Sequence, residues 1–157
     1  MRAVNENGWD DDQVAEDELG GIAVGVRELV ERFYERLWNV WDDDAVEGIL
    51  AEDFKFRGSL GQQTVGRDGW RAYRDQVRAA APDFSNELVE LVVDGDRAAA
   101  RLRYVGTHGG LLLGLAGTGR TFAYDGAAFF RAQGGQLVEA WVLGDLADLW
   151  RQLTESQ

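Results

Sequence analysis

A chain of 157 residues, 45% of them hydrophobic, is long enough to bury one core and too short to suggest two. A net charge of -12 excludes a sequence-independent grip on nucleic acid, which needs lysine and arginine against phosphates, and it disfavours an anionic membrane surface for the same reason. With no cysteine and a single histidine, disulfides, thiolate nucleophiles and histidine-pair zinc sites are excluded; no stretch reaches the ~20 apolar residues of a membrane span or shows the order of a signal peptide, so a soluble cytoplasmic protein is expected.

Residues 1–20 concentrate Asp10, Asp11, Asp12, Glu16, Asp17 and Glu18 against Arg2 alone, with Trp9 as the one large apolar side chain. Such a segment buries too little surface to offset its ordering entropy and reads as an acidic mobile tail, with residues 21–157 as the single domain. From Ile22 the apolar residues Val26, Leu29, Val30, Phe33, Tyr34, Leu37, Trp38 and Trp41 recur every three or four positions, which predicts one long helix with a buried face. The acidic run Asp42-Asp43-Asp44 ends it, and Asp44 is placed to cap a short second helix through Leu50.

The alternation in "DFKFRG" predicts a brief strand that Asp53 begins and Gly58 stops. Trp70, Tyr73, Val77 and Ala80 mark a third helix closed by Pro82. Two hairpins follow: "ELVELVV" with "RAAARLRYVGT" around Asp94-Gly95-Asp96, and "RTFAYDGAAFFRA" with "QLVEAWVL" around Gly134-Gly135. Asp145 then caps a last helix carrying Leu146, Leu149, Trp150 and Leu153. Helices first and antiparallel strands afterwards indicate an α+β fold whose sheet curls over the first helix.

Two short motifs come close to known chemistry. "GLAGTGRT", Gly114 to Thr121, fits the phosphate-binding loop except that Arg120 replaces the lysine. That loop needs a parallel strand before it and a helix after it, whereas strand alternation follows here, so its glycines read as a turn-forming connection. "RGSLG" around Ser59 has an arginine where the nucleophile elbow needs its first glycine, and no helix follows directly.

The order of elements, with "GTHGGLLLGLAGTGR" and "GQLVEAWVLGDLADLWRQL", resembles the SnoaL-like polyketide cyclase (ester cyclase) family of the nuclear-transport-factor-two-like, or cystatin-like, α+β cone, over residues 24–153 or so. The resemblance implies a cone-shaped pocket between a curved antiparallel sheet and the helices, no metal or organic cofactor, and a homodimer. It also implies proton removal next to a carbonyl of a polyketide-like or other apolar oxygenated ligand, followed by ring closure. Fold alone does not decide between cyclisation, isomerisation, dehydration and hydrolysis.

On that pattern His108, in "GTHGG", is a candidate acid/base or carbonyl donor; its other reading is a buried histidine tying a loop to backbone. Arg57 stands where the family often has histidine, and reads either as an anchor for an enolate or as a surface ion-pair partner. Asp145 reads as a base at the pocket mouth or as a helix cap. The acid that many members carry two residues after a strand glycine is Ala128 here, and the common "EHW" is Glu139-Ala140-Trp141. Tyr34, Trp38, Phe56, Tyr124, Ala128, Phe129 and Trp141 are the candidate pocket lining. Three functions follow as expectations: an enzyme in which His108 takes or relays the proton while Arg57 and Tyr34 polarise the oxygen, with Asp145 as a further catalytic candidate; a ligand-binding domain without turnover, which the two alanines favour; or a dimerisation module with a filled cone.

Overall fold

The computed structural model describes residues 24–156, so the acidic tail, with Trp9, and Ile22 of the first helix lie outside the described residues. The first helix, α1, runs Val26–Arg32 and continues as a π-helical segment over Phe33–Trp38, where the Asn39 amide donates to the Tyr34 carbonyl at 2.9 Å. This wider turn inserts a residue and lets Phe33, Tyr34, Leu37 and Trp38 all face inward. Trp41 is not on that face: it sits in the following turn at φ 56°, with the Arg78 guanidinium 5.1 Å from its ring centroid.

The cap of the next segment is Asp42 rather than Asp44: its carboxylate accepts from the Asp44 amide and starts a 3-10 turn at Asp43–Ala45, which leads into α2 at Val46–Ile49. Asp43 also leaves the acidic run, accepting at 2.5 Å from Arg74, a buried arginine that lies over the Trp70 ring. That hydrogen bond holds the Asp43 carboxyl below the usual carboxylate range.

Strand β1 is Leu50–Arg57, longer than the alternation suggests, because its first half packs on α2 and reads as apolar and charged pairs instead. Strand β2, Gln63–Val65, falls between the strand stopped by Gly58 and the third helix, where the sequence pattern predicts no strand. Next come α3 (Arg67–Ala80), β3 (Ser85–Asp94), β4 (Arg97–Thr107), β5 (Thr121–Gln133), β6 (Gln136–Gly144) and α4 (Leu146–Thr154). The sheet has six strands in the order β2-β1-β6-β5-β4-β3. All neighbours are antiparallel except β1 and β6, whose parallel pairing needs a crossover connection, supplied here by the long chain between them.

Side chains alternate across this curved sheet. On β5, Phe122, Tyr124, Ala128 and Phe130 turn inward against α1 and α3, while Ala123, Asp125, Ala127 and Phe129 face outward. Phe33 sits at the centre of the inner layer, edge-on to Tyr34, Phe54, Phe56 and Phe130 at 5.1–6.4 Å. Among the described residues no helix is long and apolar enough to cross a membrane.

Candidate functional site

The wide end of the cone is lined by Phe33, Tyr34 and Trp38 from α1, Tyr73 and Val77 from α3, Phe56 from β1 and Ser59 and Leu60 just after it. Tyr104, Phe122, Tyr124 and Val142 contribute from β4 to β6. Glycines seat three of the tyrosine rings. A Cβ added at Gly58 would fall 2.1 Å from Tyr73, one at Gly126 2.4 Å from Tyr104, and one at Gly144 2.9 Å from Tyr124. Each ring therefore occupies space that any other residue would fill.

All four tyrosines of the chain, Tyr34, Tyr73, Tyr104 and Tyr124, meet here. Tyr104 and Tyr124 have ring centroids 4.9 Å apart. The Tyr124 hydroxyl pairs with Ser59 Oγ at 3.1 Å, and the Tyr73 hydroxyl accepts from the Leu60 amide at 3.2 Å. The Tyr34 hydroxyl is buried and has no hydrogen-bond partner. Burial raises all four phenols above their ordinary pKa, reinforced by Tyr104 at Tyr34 and by Tyr124 and Tyr73 at Tyr104; hydrogen bonds from the Ser59–Leu60 segment oppose it at Tyr73 and Tyr124. They stay neutral near pH 7 and act as hydrogen-bond donors rather than bases.

No carboxylate, imidazole, ammonium or guanidinium lines this cavity among the described residues, nor does any group of three or more His, Cys, Asp or Glu side chains gather to hold a metal. The crevices between the walls total about 500 Å³ counted to the open mouth, but only about 30 Å³ is wide enough for a water molecule. Pockets that hold a drug-sized ligand measure roughly 300–1,000 Å³. In this structure the aromatic walls nearly meet.

Of the candidate lining, Tyr34, Trp38, Phe56 and Tyr124 border the cavity. Phe129 and Trp141 do not: they are 55% and 39% exposed on the outer face of the sheet, directly paired across β5 and β6. Ala128 is buried on the inner face between Ala100 and Val142 but does not reach the cavity. Adjacent residues of one strand cannot share a face, so Ala128 and Phe129 could not both have lined it.

His108 is fully buried within its own loop. Its Nδ1 accepts from the Thr118 amide at 3.3 Å and lies 3.0 Å from the Thr118 hydroxyl, which leaves the proton on Nε2 to be donated to the Leu115 carbonyl at 3.2 Å. Both ring nitrogens are occupied by the loop. Arg57, paired with Trp141 in the last β1–β6 register position, donates to the Val142 carbonyl and holds its guanidinium 5.1 Å from the Trp141 ring centroid. Asp145 caps α4 by accepting from the Asp148 amide at 3.1 Å. Arg120, the residue that broke the phosphate-loop pattern, donates to the Gln152 and Glu155 carbonyls at the end of α4. Tyr73, Tyr104 and Leu60 were not singled out from sequence as site residues, and Ser59 entered only as a failed nucleophile elbow, although Tyr104 shares strand parity with Leu102 and Tyr73 lies on the apolar face of α3.

A family model for SnoaL-like polyketide cyclases matches residues 28–153. TsrD from Streptomyces laurentii is 29% identical at a TM-score of 0.72, over 82% of this chain and 94% of that one. IdmH from Streptomyces antibioticus, a candidate polyketide cyclase, is 26% identical at 0.73, over 83% and 99%. A candidate SnoaL-like polyketide cyclase from Jannaschia sp. CCS1 is 20% identical at 0.77, over 87% and 96%, and speaks for the fold alone. No curated protein matches the chain.

Proposed function

The chain belongs to the SnoaL-like polyketide cyclase family, and from that premise we propose that it promotes ring closure next to a carbonyl of an apolar, polyketide-like ligand held in the cone. The observation that supports this reading is the Tyr34 hydroxyl, a buried donor without a partner bordering the cavity where three more neutral phenols converge. A buried polar group left unsatisfied costs about 1–3 kcal/mol, and a ligand oxygen would remove that cost. As an enol carbon adds to a carbonyl carbon, the carbonyl π pair moves onto oxygen, and the phenols stabilise the charge that develops there. The lining offers no base. A carbon acid between two carbonyls is already partly enolised in water, so the protein's work is to fold the ligand and polarise the accepting carbonyl; the enol proton leaves and the new alkoxide takes one up.

Native mass spectrometry of the purified chain, followed by incubation of any retained small molecule, tests this reading. A product should appear, and Tyr34→Phe should lower turnover about 100-fold with the fold intact. Full turnover by that variant would remove Tyr34 from the chemistry. The second reading is ligand binding without turnover, favoured by a lining free of acids and bases and by Ala128 and Ala140 at polar family positions. It predicts a ligand returned unchanged, with no deuterium gained beside its carbonyl in heavy water.

The outer face of the sheet suits a second copy of this chain. Val92, Ala99, Phe129 and Trp141 form one cross-strand row, with Ala127 and Leu143 beside them. The charges on this face are matched by register: Glu90 opposes Arg101, Arg103 lies between Glu87 and Asp125, and Arg131 opposes Glu139. On a chain of net charge -12, a locally neutral apolar surface is where two copies meet with least repulsion. Sedimentation velocity should show a dimer that Phe129→Glu dissociates; a monomeric parent chain would refute it.

A further inference from the structure

The narrow cavity has a neighbour. A depression of about 240 Å³ lies against its mouth, lined by Leu60, Gln62, Gln76 and the Leu111–Leu113 turn, and it shares Leu60, Ala80 and Leu112 with the cavity as common walls. We infer that the two form one composite site for an elongated ligand, with a flat ring system among the tyrosines and an uncharged alkyl or acyl arm laid between Leu60 and Leu111. This rests on the ligand-binding reading above and adds where the rest of the ligand goes.

One jaw of this site is rigid. At the base of the Leu111–Leu113 turn His108 exchanges backbone bonds with Arg120 and Gly119 at 2.8 Å, while Gly109 and Gly110 both donate to the Ala80 carbonyl at the end of α3. Leu112 and Leu115 exchange bonds at 2.9–3.0 Å, and the His108 ring fills the loop from within. A Cβ on Gly110 or Gly117 would meet backbone at 2.4–2.5 Å, so the loop has no slack. Leu113 is held at φ 51°, a left-handed conformation that a leucine rarely adopts, and it is part of the depression's wall. In this arrangement His108 acts as a positioning residue for an apolar platform.

The other jaw is lightly held. The Gly58–Gln62 loop closes on itself through Gly58 to Gln62 and Gly61 to Gly58, both at 3.0 Å. Two hydroxyl contacts tether it to the tyrosines: Leu60 amide to Tyr73, and Ser59 to Tyr124. A single such hydrogen bond is worth about 1 kcal/mol net. Lifting this loop takes Leu60 out of the wall between the compartments and frees the Tyr73 and Tyr124 hydroxyls for a ligand. The depression sets the arm's chemistry: aliphatic side chains and two carboxamides line it, with no charged side chain to pair an ionised arm among the described residues.

The naphthyl ketone dyes prodan and laurdan test this on the full chain, since both carry the same flat neutral head and differ in a propionyl against a dodecanoyl arm. Laurdan should bind at least about 10-fold tighter than prodan, because covered methylenes add up. Leu111→Asp, at a site 71% exposed and therefore tolerant of the change, should cut laurdan's advantage over prodan to under about 2-fold when both dyes are measured on that variant. Tyr73→Phe should speed association of both dyes about 3-fold or more by releasing the loop. A laurdan advantage that survives Leu111→Asp, equal binding of the two dyes, or an unchanged association rate in Tyr73→Phe would overturn the composite site and leave the cone reading standing. If neither dye gives a saturable, blue-shifted emission, the cone reading itself falls and takes this one with it.

Discussion

The two faces of β5 and its neighbours carry similar aromatic content and opposite roles. Inward, Tyr124 and Phe130 are nearly unexposed and packed by a glycine and neighbouring rings; outward, Phe129 and Trp141 lie half open side by side, with the Arg57 guanidinium over the Trp141 ring. The difference teaches that an aromatic's role here comes from its strand parity and from what the sheet curls around, not from the residue type. The concave face collects hydroxyls with unsatisfied capacity, whereas the convex face collects side chains with unsatisfied area.

The sharpest way to separate the faces is alkali, because every tyrosine lies on the inner side. Unfolded tyrosines ionise near 10.0, and burial raises all four above that in the folded chain. Between those values the unfolded state binds fewer protons, so stability falls as pH rises, while below about pH 10 these groups leave stability unchanged. Each contributes a slope of about 1.4 kcal/mol per pH unit up to its own raised pKa, so together they remove a large part of a domain's stability as pH rises above about 10. Tyrosinate absorbance should therefore rise together with loss of far-ultraviolet dichroism. Absorbance climbing near pH 10 with the dichroism intact would place phenols outside the core.

Truncation compares the faces directly. Phe33→Ala should cost about 3–5 kcal/mol in urea unfolding, since Phe33 touches most of the inner aromatic layer. Phe129→Ala should cost under about 1 kcal/mol at concentrations where the chain is monomeric. Similar costs would mean that the outer row is covered by something in the monomer.

The α+β class, the strand pairs and the cap at Asp145 were legible because each rests on local pattern: period, turn glycines and an acid before an apolar run. Strand β2 was not, being three residues whose only support is pairing with β1. The π-helical turn was hidden for a related reason, since an inserted residue only blurs the helical period. Among site residues, alternation alone could have removed Phe129 and Trp141, whose parity opposes that of Tyr124 and Ala128. His108 was ambiguous because its partners, Thr118 and Leu115, lie on the far side of a loop whose shape no periodicity describes. The convergence of the tyrosines was not legible because three of their rings are seated by glycines that come close only after the sheet curls.

The loop at the cone's rim belongs to neither face and gives the next largest effect. His108→Ala leaves the Thr118 amide without its partner, removes one of the two donors to the Leu115 carbonyl, which keeps the Leu112 amide, and empties the middle of the loop, so a loss of about 2–3 kcal/mol is expected. Amide exchange should accelerate across Gly109–Gly119 and nowhere else. An acid/base role would instead leave stability and exchange unchanged while turnover disappeared, so the two measurements decide which work the imidazole does.

The smallest effect has the opposite sign. Tyr34→Phe removes a buried hydroxyl that has no partner and keeps the ring edge-on to Phe33 and Phe130. It should raise stability, by about 1 kcal/mol, while weakening whatever ligand the cone holds. No comparable change on the outer face could gain stability by deleting a polar atom, because the charges there are already matched across strands. Thermal unfolding of the variant alone decides the point: a loss of stability would mean that the hydroxyl is satisfied within the fold and was never held ready for a ligand.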